Sequence, residues 1–177
     1  MKSFINMLLT AAVSSLFVIQ DVHAGERTMN KLQITSPAFP HNGMIPSKFT
    51  CDGANVSPPL SIANIPEKTM SLALIVDDPD APVGTWVHWV VWNIADGTKE
   101  IPEASVSPGA IQGTNDFGKQ GYGGPCPPSG KHRYFCKLYA LDAPLVLKSG
   151  ATKAQIEEAM KGHVLAQTER IGLYRRK

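Results

Sequence analysis

Two apolar runs, residues 72–76 and 87–94, stand out along the chain, with a short polar interval between them. Both are rich in Leu, Val, Ile and Trp, side chains that suit the pleated, half-buried surface of a strand. The interval reads Asp77-Asp78-Pro79-Asp80-Ala81-Pro82, followed by a turn at Gly84. Pro79 and Pro82 fix the backbone and offer no ladder hydrogen bond. The pattern predicts two strands joined by a stiff crossing, with three carboxylates at its rim. His88 falls just inside the second strand. Acid groups and an imidazole on such a rim point to a binding or catalytic mouth rather than a plain surface loop.

Residues 28–66 read as edge strands and turns. Leu32, Ile34 and Phe39 form a short β segment, punctuated by Pro37, Pro40, Asn42-Gly43, Pro46 and Asp52-Gly53. Residues 99–120 make a long polar excursion, and such loops are uncommon unless they carry function or fold locally. Residues 121–142, GYGGPCPPSGKHRYFCKLYALD, join a Gly/Pro loop to a strand. Alternation puts His132, Tyr134, Cys136 and Leu138 on one face of that strand. Arg133 and Lys137 fall on the other face, where solvent is expected. Residues 152–169 predict the one helix of the chain. Thr152 and Gln155 make a capping box, and Ile156, Ala159, Met160, His163 and Val164 recur at helical spacing. His163 reads there as a structural histidine, and residues 171–174 as a last short strand or docked end.

Many short apolar runs separated by Gly and Pro predict an all-β sandwich. A chain of 177 residues fits one domain. Lys2, the apolar stretch 8–19 and Val22-His23-Ala24 have the layout of a signal peptide. The expected division is a leader, residues 1–24, and a single domain, residues 25–177, exported to the periplasm or secreted. No other stretch resembles a membrane span, so no integral membrane protein is expected. The net charge is +2 with no basic run beyond Arg175-Arg176-Lys177, which argues against nucleic acid.

Export changes how the cysteines read. Three cysteines allow at most one internal disulfide. Cys51 and Cys126 lie in Gly- and Pro-rich loops and form the candidate bridge in an oxidising compartment. Cys136 lies in an apolar strand and is expected as a buried thiol. No CxxC or CxxH spacing marks a metal site, and no Gly-x-Ser-x-Gly elbow marks a nucleophile. Trp89 and Trp92 read as core, and Trp86, beside the loop, as a pocket residue. Asp77 and Asp80 have a second reading, as caps of the Pro-containing turn.

These residues carry a resemblance. DDPDAP followed by WVHWVVWNI, and GYGGPCPPSGKHRYFCKLYALD, resemble the two signatures of the phosphatidylethanolamine-binding protein (PEBP) family, also called Raf-kinase-inhibitor-like. FTCDGANVSPPL and the end of the chain with IGLYRR fit its bacterial YbhB/YbcL-type branch, here in exported form. The resemblance covers residues 31–174. It implies an antiparallel β-sandwich with Greek-key connections and a few peripheral helices, one near the C-terminus. It implies a pocket for a small anion, such as phosphate or a phosphoethanolamine headgroup, and a homodimer. The implied binding residues are Asp78, Asp80, Pro82, Trp86, His88, Gly124, Pro125, His132 and Tyr134, with the Gly124 N–H offered to the anion. Asp78 would either keep a neighbouring histidine cationic or hold the ammonium of a zwitterionic headgroup. No catalytic residue, cofactor or metal is implied. The loop at residues 123–129, with Cys126 and two extra prolines, departs from the eukaryotic pattern and argues against a kinase-inhibitor role. The alternatives are a protein-interaction module, inhibitor-like or a secreted effector, and a hydrolase of small esters or phosphoesters using Asp78 and His88.

Overall fold

The computed structural model describes residues 31–176, so the expected leader lies outside the described residues. The strands are β1 (Gln33–Thr35), β2 (Gly43–Met44), β3 (Leu60–Ala63), β4 (Ser71–Asp78), β5 (Trp86–Ile94), β6 (Glu100–Ile101), β7 (Ile111–Gln112), β8 (His132–Leu141) and β9 (Val164–Tyr174). A helix, α1 (Lys153–Ala159), precedes β9. β1-β3-β6 form a small sheet, and β2-β9-β8-β4-β5-β7 form a six-stranded one. Pairing is antiparallel except between β2 and β9. The mainly-β expectation holds. No helix among the described residues is long and apolar enough to cross a membrane.

β4 lies in the middle of the large sheet and is buried along its whole length. Leu72, Leu74 and Val76 pack with Ile34, Leu60, Ile62 and Ile101 of the small sheet. Ala73 and Ile75 pack on the opposite face with Ile156 and Met160 at α1. Trp89 joins the first cluster and Trp92 the second, so both are core as expected.

The C-terminal prediction needs correction. The capping box of Thr152 and Gln155 forms, but α1 ends at Ala159. Gly162 then adopts φ +80°, and residues 164–174 become strand. β9 pairs with nearly the whole of β8. A ladder of that length overrides the helical spacing of His163 and Val164, because tertiary pairing outweighs local propensity. His163 lies half-exposed beyond the helix, with Nδ1 2.8 Å from Asp142 Oδ1. Phe39 is buried, but in a turn packed on Phe49, Tyr134 and Tyr174 rather than in a strand. The excursion 99–120 folds locally through β6, β7 and a turn built on buried Asn115, whose Oδ1 accepts the Phe117 and Lys119 N–H groups.

The charged residues of β4 and β8 also differ from expectation. Asp77 is fully buried and caps no turn: it accepts from Lys137 Nζ at 2.9 Å and Lys153 Nζ at 2.6 Å. Lys137 therefore lies on the predicted face but is paired, not solvated. Arg133 is exposed, as expected, and also grips Asp80 with Nε at 2.9 Å and Nη2 at 2.6 Å. The Cys51–Cys126 disulfide is present, and Cys136 is a buried free thiol that burial pushes up to about 12.

Asp77→Asn tests the anchor between α1 and the sheet. It leaves Lys137 and Lys153 facing a neutral amide in a buried setting. The expected loss is about 3 kcal/mol of unfolding free energy in a urea melt, typical of a broken buried ion pair. An unchanged midpoint would show that the lysines reach water freely.

Candidate functional site

Three neighbouring strands deliver the site. β4 ends on Asp78, β8 begins on His132, and β5 carries His88. His132 Nδ1 lies 2.8 Å from Asp78 Oδ2, joining residues 54 apart in sequence. Asp78 Oδ1 accepts the Asp80 N–H at 2.8 Å. Both carboxylate oxygens are thus engaged by the protein, and both side chains are buried.

His88 owes its position to a β-bulge. Val76 pairs with Trp89 and Asp77 with Val87, which leaves His88 as the extra residue on β5. Bulges of this kind re-aim a side chain beside functional sites. The His88 ring is buried, and its Nδ1 lies 2.6 Å from the Gly123 carbonyl. The Gly123 N–H donates back to the His88 carbonyl at 2.9 Å. A carbonyl only accepts, so Nδ1 holds the proton and Nε2 keeps its lone pair in the neutral ring. Burial pushes the His88 pKa below 6.5, outweighing the Gly123 carbonyl and the Asp78 charge. The rings of Tyr134 and Phe117 stand edge-on to His88 at 5.1 and 5.4 Å. The buried Tyr134 hydroxyl has no hydrogen-bond partner among the described residues. Burial first, and then the Asp78 charge, hold its pKa far above that of a free phenol.

These groups floor a cavity of about 290 Å³. Asp78, His88 and His132 supply its polar groups; Pro82, Val83, Trp86, Phe117, Pro127 and Pro128 supply apolar wall. No Lys or Arg lines it among the described residues.

Of the residues expected from sequence, Asp78, Pro82, Trp86, His88 and His132 come together around this cavity. Asp80 does not: its carboxylate accepts from the Arg133 backbone and guanidinium, which hold its pKa down at about 2. The Gly124 N–H is engaged elsewhere, donating to Asn55 Oδ1 at 2.8 Å. Pro125 accepts the Cys51 N–H at 3.1 Å and lies outside the lining. Tyr134 lies outside the lining and meets the cavity only through its edge-on contact with the His88 ring. Sequence reasoning missed Phe117, whose only local signal is an aromatic side chain in an Asn-Asp-Phe-Gly turn. It also missed Gly123, which sets the His88 tautomer, and Asn55, which holds the neighbouring glycine.

A family model described as phosphatidylethanolamine-binding protein matches residues 35–175. The chain belongs to the phosphatidylethanolamine-binding protein family. A UPF0098 protein of Methanothermobacter thermautotrophicus is 54% identical over 150 residues, covering 82% of this chain and 99% of its own. A UPF0098 protein of Chlamydia muridarum is 46% identical, covering 81% and 98%. A crystal structure of a putative PEBP homologue from Chlamydia trachomatis superposes with TM-score 0.81 at 43% identity, covering 84% of this chain and 99% of that one. E. coli YbcL, described as a new member of the mammalian PEBP family, gives TM-score 0.78 at 32% identity, with coverages of 83% and 99%.

The His88 environment makes a pH prediction for this PEBP-family chain. Its folded pKa lies below the unfolded value of 6.5. The unfolded chain therefore binds a proton first as pH falls, so this contribution to stability is complete above that value and is lost as pH drops through the folded pKa. NMR titration should place the His88 ring below 6.5, and His88→Gln should flatten the acid limb of the stability curve. A His88 pKa at or above 6.5 would contradict the geometry.

Proposed function

We propose that this PEBP-family protein is a non-catalytic binder of small anions, taking phosphate or a phosphorylated headgroup in the Asp78–His88–His132 cavity. The observation that carries this reading is the convergence of two imidazoles and a fully engaged carboxylate in one apolar-walled cavity. Asp78 spends its two oxygens on His132 and the Asp80 amide, so it orients the His132 ring instead of facing the ligand bare. An imidazolium hydrogen-bonded to a carboxylate through Nδ1 can donate its Nε2–H to an anion oxygen. His88 can do the same once its Nε2 is protonated. Without Lys or Arg in the lining, the positive charge that meets the anion comes from these rings. Anion binding is therefore coupled to proton uptake. The Gly124 amide takes no part, because Asn55 holds it. We place the protein in the exported YbhB/YbcL-type branch, acting outside the cytoplasm, with the leader removed and two copies associated.

Sulfate stays a dianion across neutral pH, so it isolates the protein's own protonation. Sulfate should bind about tenfold more tightly at pH 6 than at pH 8, the magnitude of one charged hydrogen bond gained. Phosphate and phosphoethanolamine should both bind. His88→Ala should weaken each, and Asp78→Asn should weaken both phosphate ligands alike. A selective loss of phosphoethanolamine in Asp78→Asn would instead assign the carboxylate to the ammonium. Absence of binding by all three anions in calorimetry and NMR would sink the reading.

A further inference from the structure

We infer that the Cys51–Cys126 disulfide is a redox latch on the anion cavity, an inference that rests on the anion-binding reading above. Cys126 is itself part of the cavity wall, and Pro127 and Pro128 continue that wall. Three residues earlier in the same loop, Gly123 makes the paired backbone contacts that fix His88. The bridge thus pins the loop between its two working parts. Its other end is firmly seated: Asp52, next to Cys51, accepts from the Tyr174 hydroxyl at 2.7 Å and from Arg176 Nε at 3.1 Å. The bond joins a segment tied to the end of β9 to the cavity wall.

Two further features make this bond a switch rather than a core staple. Cys51 lies in the exposed stretch 51–55, where a thiolate reductant can reach its sulfur, whereas Cys136 is buried in the sheet and offers no partner for reshuffling. Neither bridged cysteine belongs to a strand, so the ladders of β4, β5, β8 and β9 do not depend on the bond. Once it opens, three hydrogen bonds remain between the two loops: Cys51 N–H to Pro125 O, Gly124 N–H to Asn55 Oδ1, and Tyr122 O–H to Phe49 O at 2.8 Å. Such bonds are individually modest in net terms. A dithiol reductant supplies two electrons and two protons. The Cys51–Cys126 S–S bond breaks, each sulfur becomes a thiol, and the reductant's two sulfurs join in a disulfide. Residues 121–128 then relax, and the Gly123 carbonyl no longer pins His88 Nδ1. Oxidation by another disulfide restores the wall.

The test compares oxidised protein, the same protein held in dithiothreitol, and the Cys51→Ala/Cys126→Ala variant. Each is titrated with sulfate and phosphate while the His88 ring nitrogens are followed by NMR and folding by a thermal melt. Both unbridged forms should stay folded at 25 °C, lose the fixed Nδ1–H signal of His88, and bind either anion at least about fivefold more weakly, the cost of lost preorganisation. Reoxidation should restore binding in the reduced wild type and not in the variant. Affinities within twofold across the three forms, with His88 unmoved, would overturn the latch. So would unfolding of both unbridged forms at 25 °C, which would make the bridge a structural staple. If the oxidised protein binds neither anion, the anion reading fails, and the latch stands or falls on whether the His88 ring signals shift on reduction.

Discussion

Asp77 and Asp78 end a strand that is buried on both faces, and the period of two along a strand sends their carboxylates to opposite sides of the sheet. Each charge must then find partners on its own side, because an unpaired buried carboxylate costs several kcal/mol. On one side Asp77 draws Lys137 from β8 and Lys153 from α1, which seats the helix on the sheet. On the other side Asp78 draws His132 and the Asp80 amide, which fixes the corner of the cavity. One strand end thus settles both the docking of the helix and the position of the first imidazole.

The second imidazole depends on backbone instead of charge. The bulge in β5 delivers His88, and the loop 121–128 holds it through the Gly123 carbonyl at ring Nδ1 and the Gly123 N–H at the His88 carbonyl. That loop must run very close to its neighbours. A Cβ on Gly123 would meet the Phe117 ring at 2.5 Å, and one on Gly124 would meet Asn55 Oδ1 at 2.5 Å. Close approach, not unusual torsion angles, is why glycine occupies both places. The same crowding brings Phe117 against His88 and Trp86 and closes the apolar side of the cavity.

What the sequence made legible follows from how local each signal is. Alternation along residues 132–138 correctly grouped His132, Tyr134 and Cys136, since side-chain direction in a strand depends only on position. The capping box of Thr152 was legible for the same reason. The limit of the helix was not, because the partner that claims residues 164–174 is β8, far away in sequence. The partners of Asp80, Lys137 and Gly124 lie 53, 60 and 69 residues away, and no local pattern encodes them. The bulge at His88 was hidden by β5 being buried on nearly every residue. A strand with no polar face shows no break in alternation when its register slips.

The anion site proposed above, with no lysine or arginine in its lining, has a particular electrostatic logic. A fixed cation would leave the empty cavity charged against apolar walls, a costly state in a low-dielectric setting. Here the Asp78 carboxylate is already engaged by His132, and burial keeps His88 neutral at pH 7. In the proposed reading, positive charge enters the cavity as a proton when an anion is there to meet it. The apolar rim serves this arrangement, because excluding water strengthens the field between the incoming anion and the imidazoles. The rim and the rings must therefore hold their positions together, and the loop between Gly123 and Pro128 serves both: it holds the His88 ring and supplies Cys126, Pro127 and Pro128 to the wall.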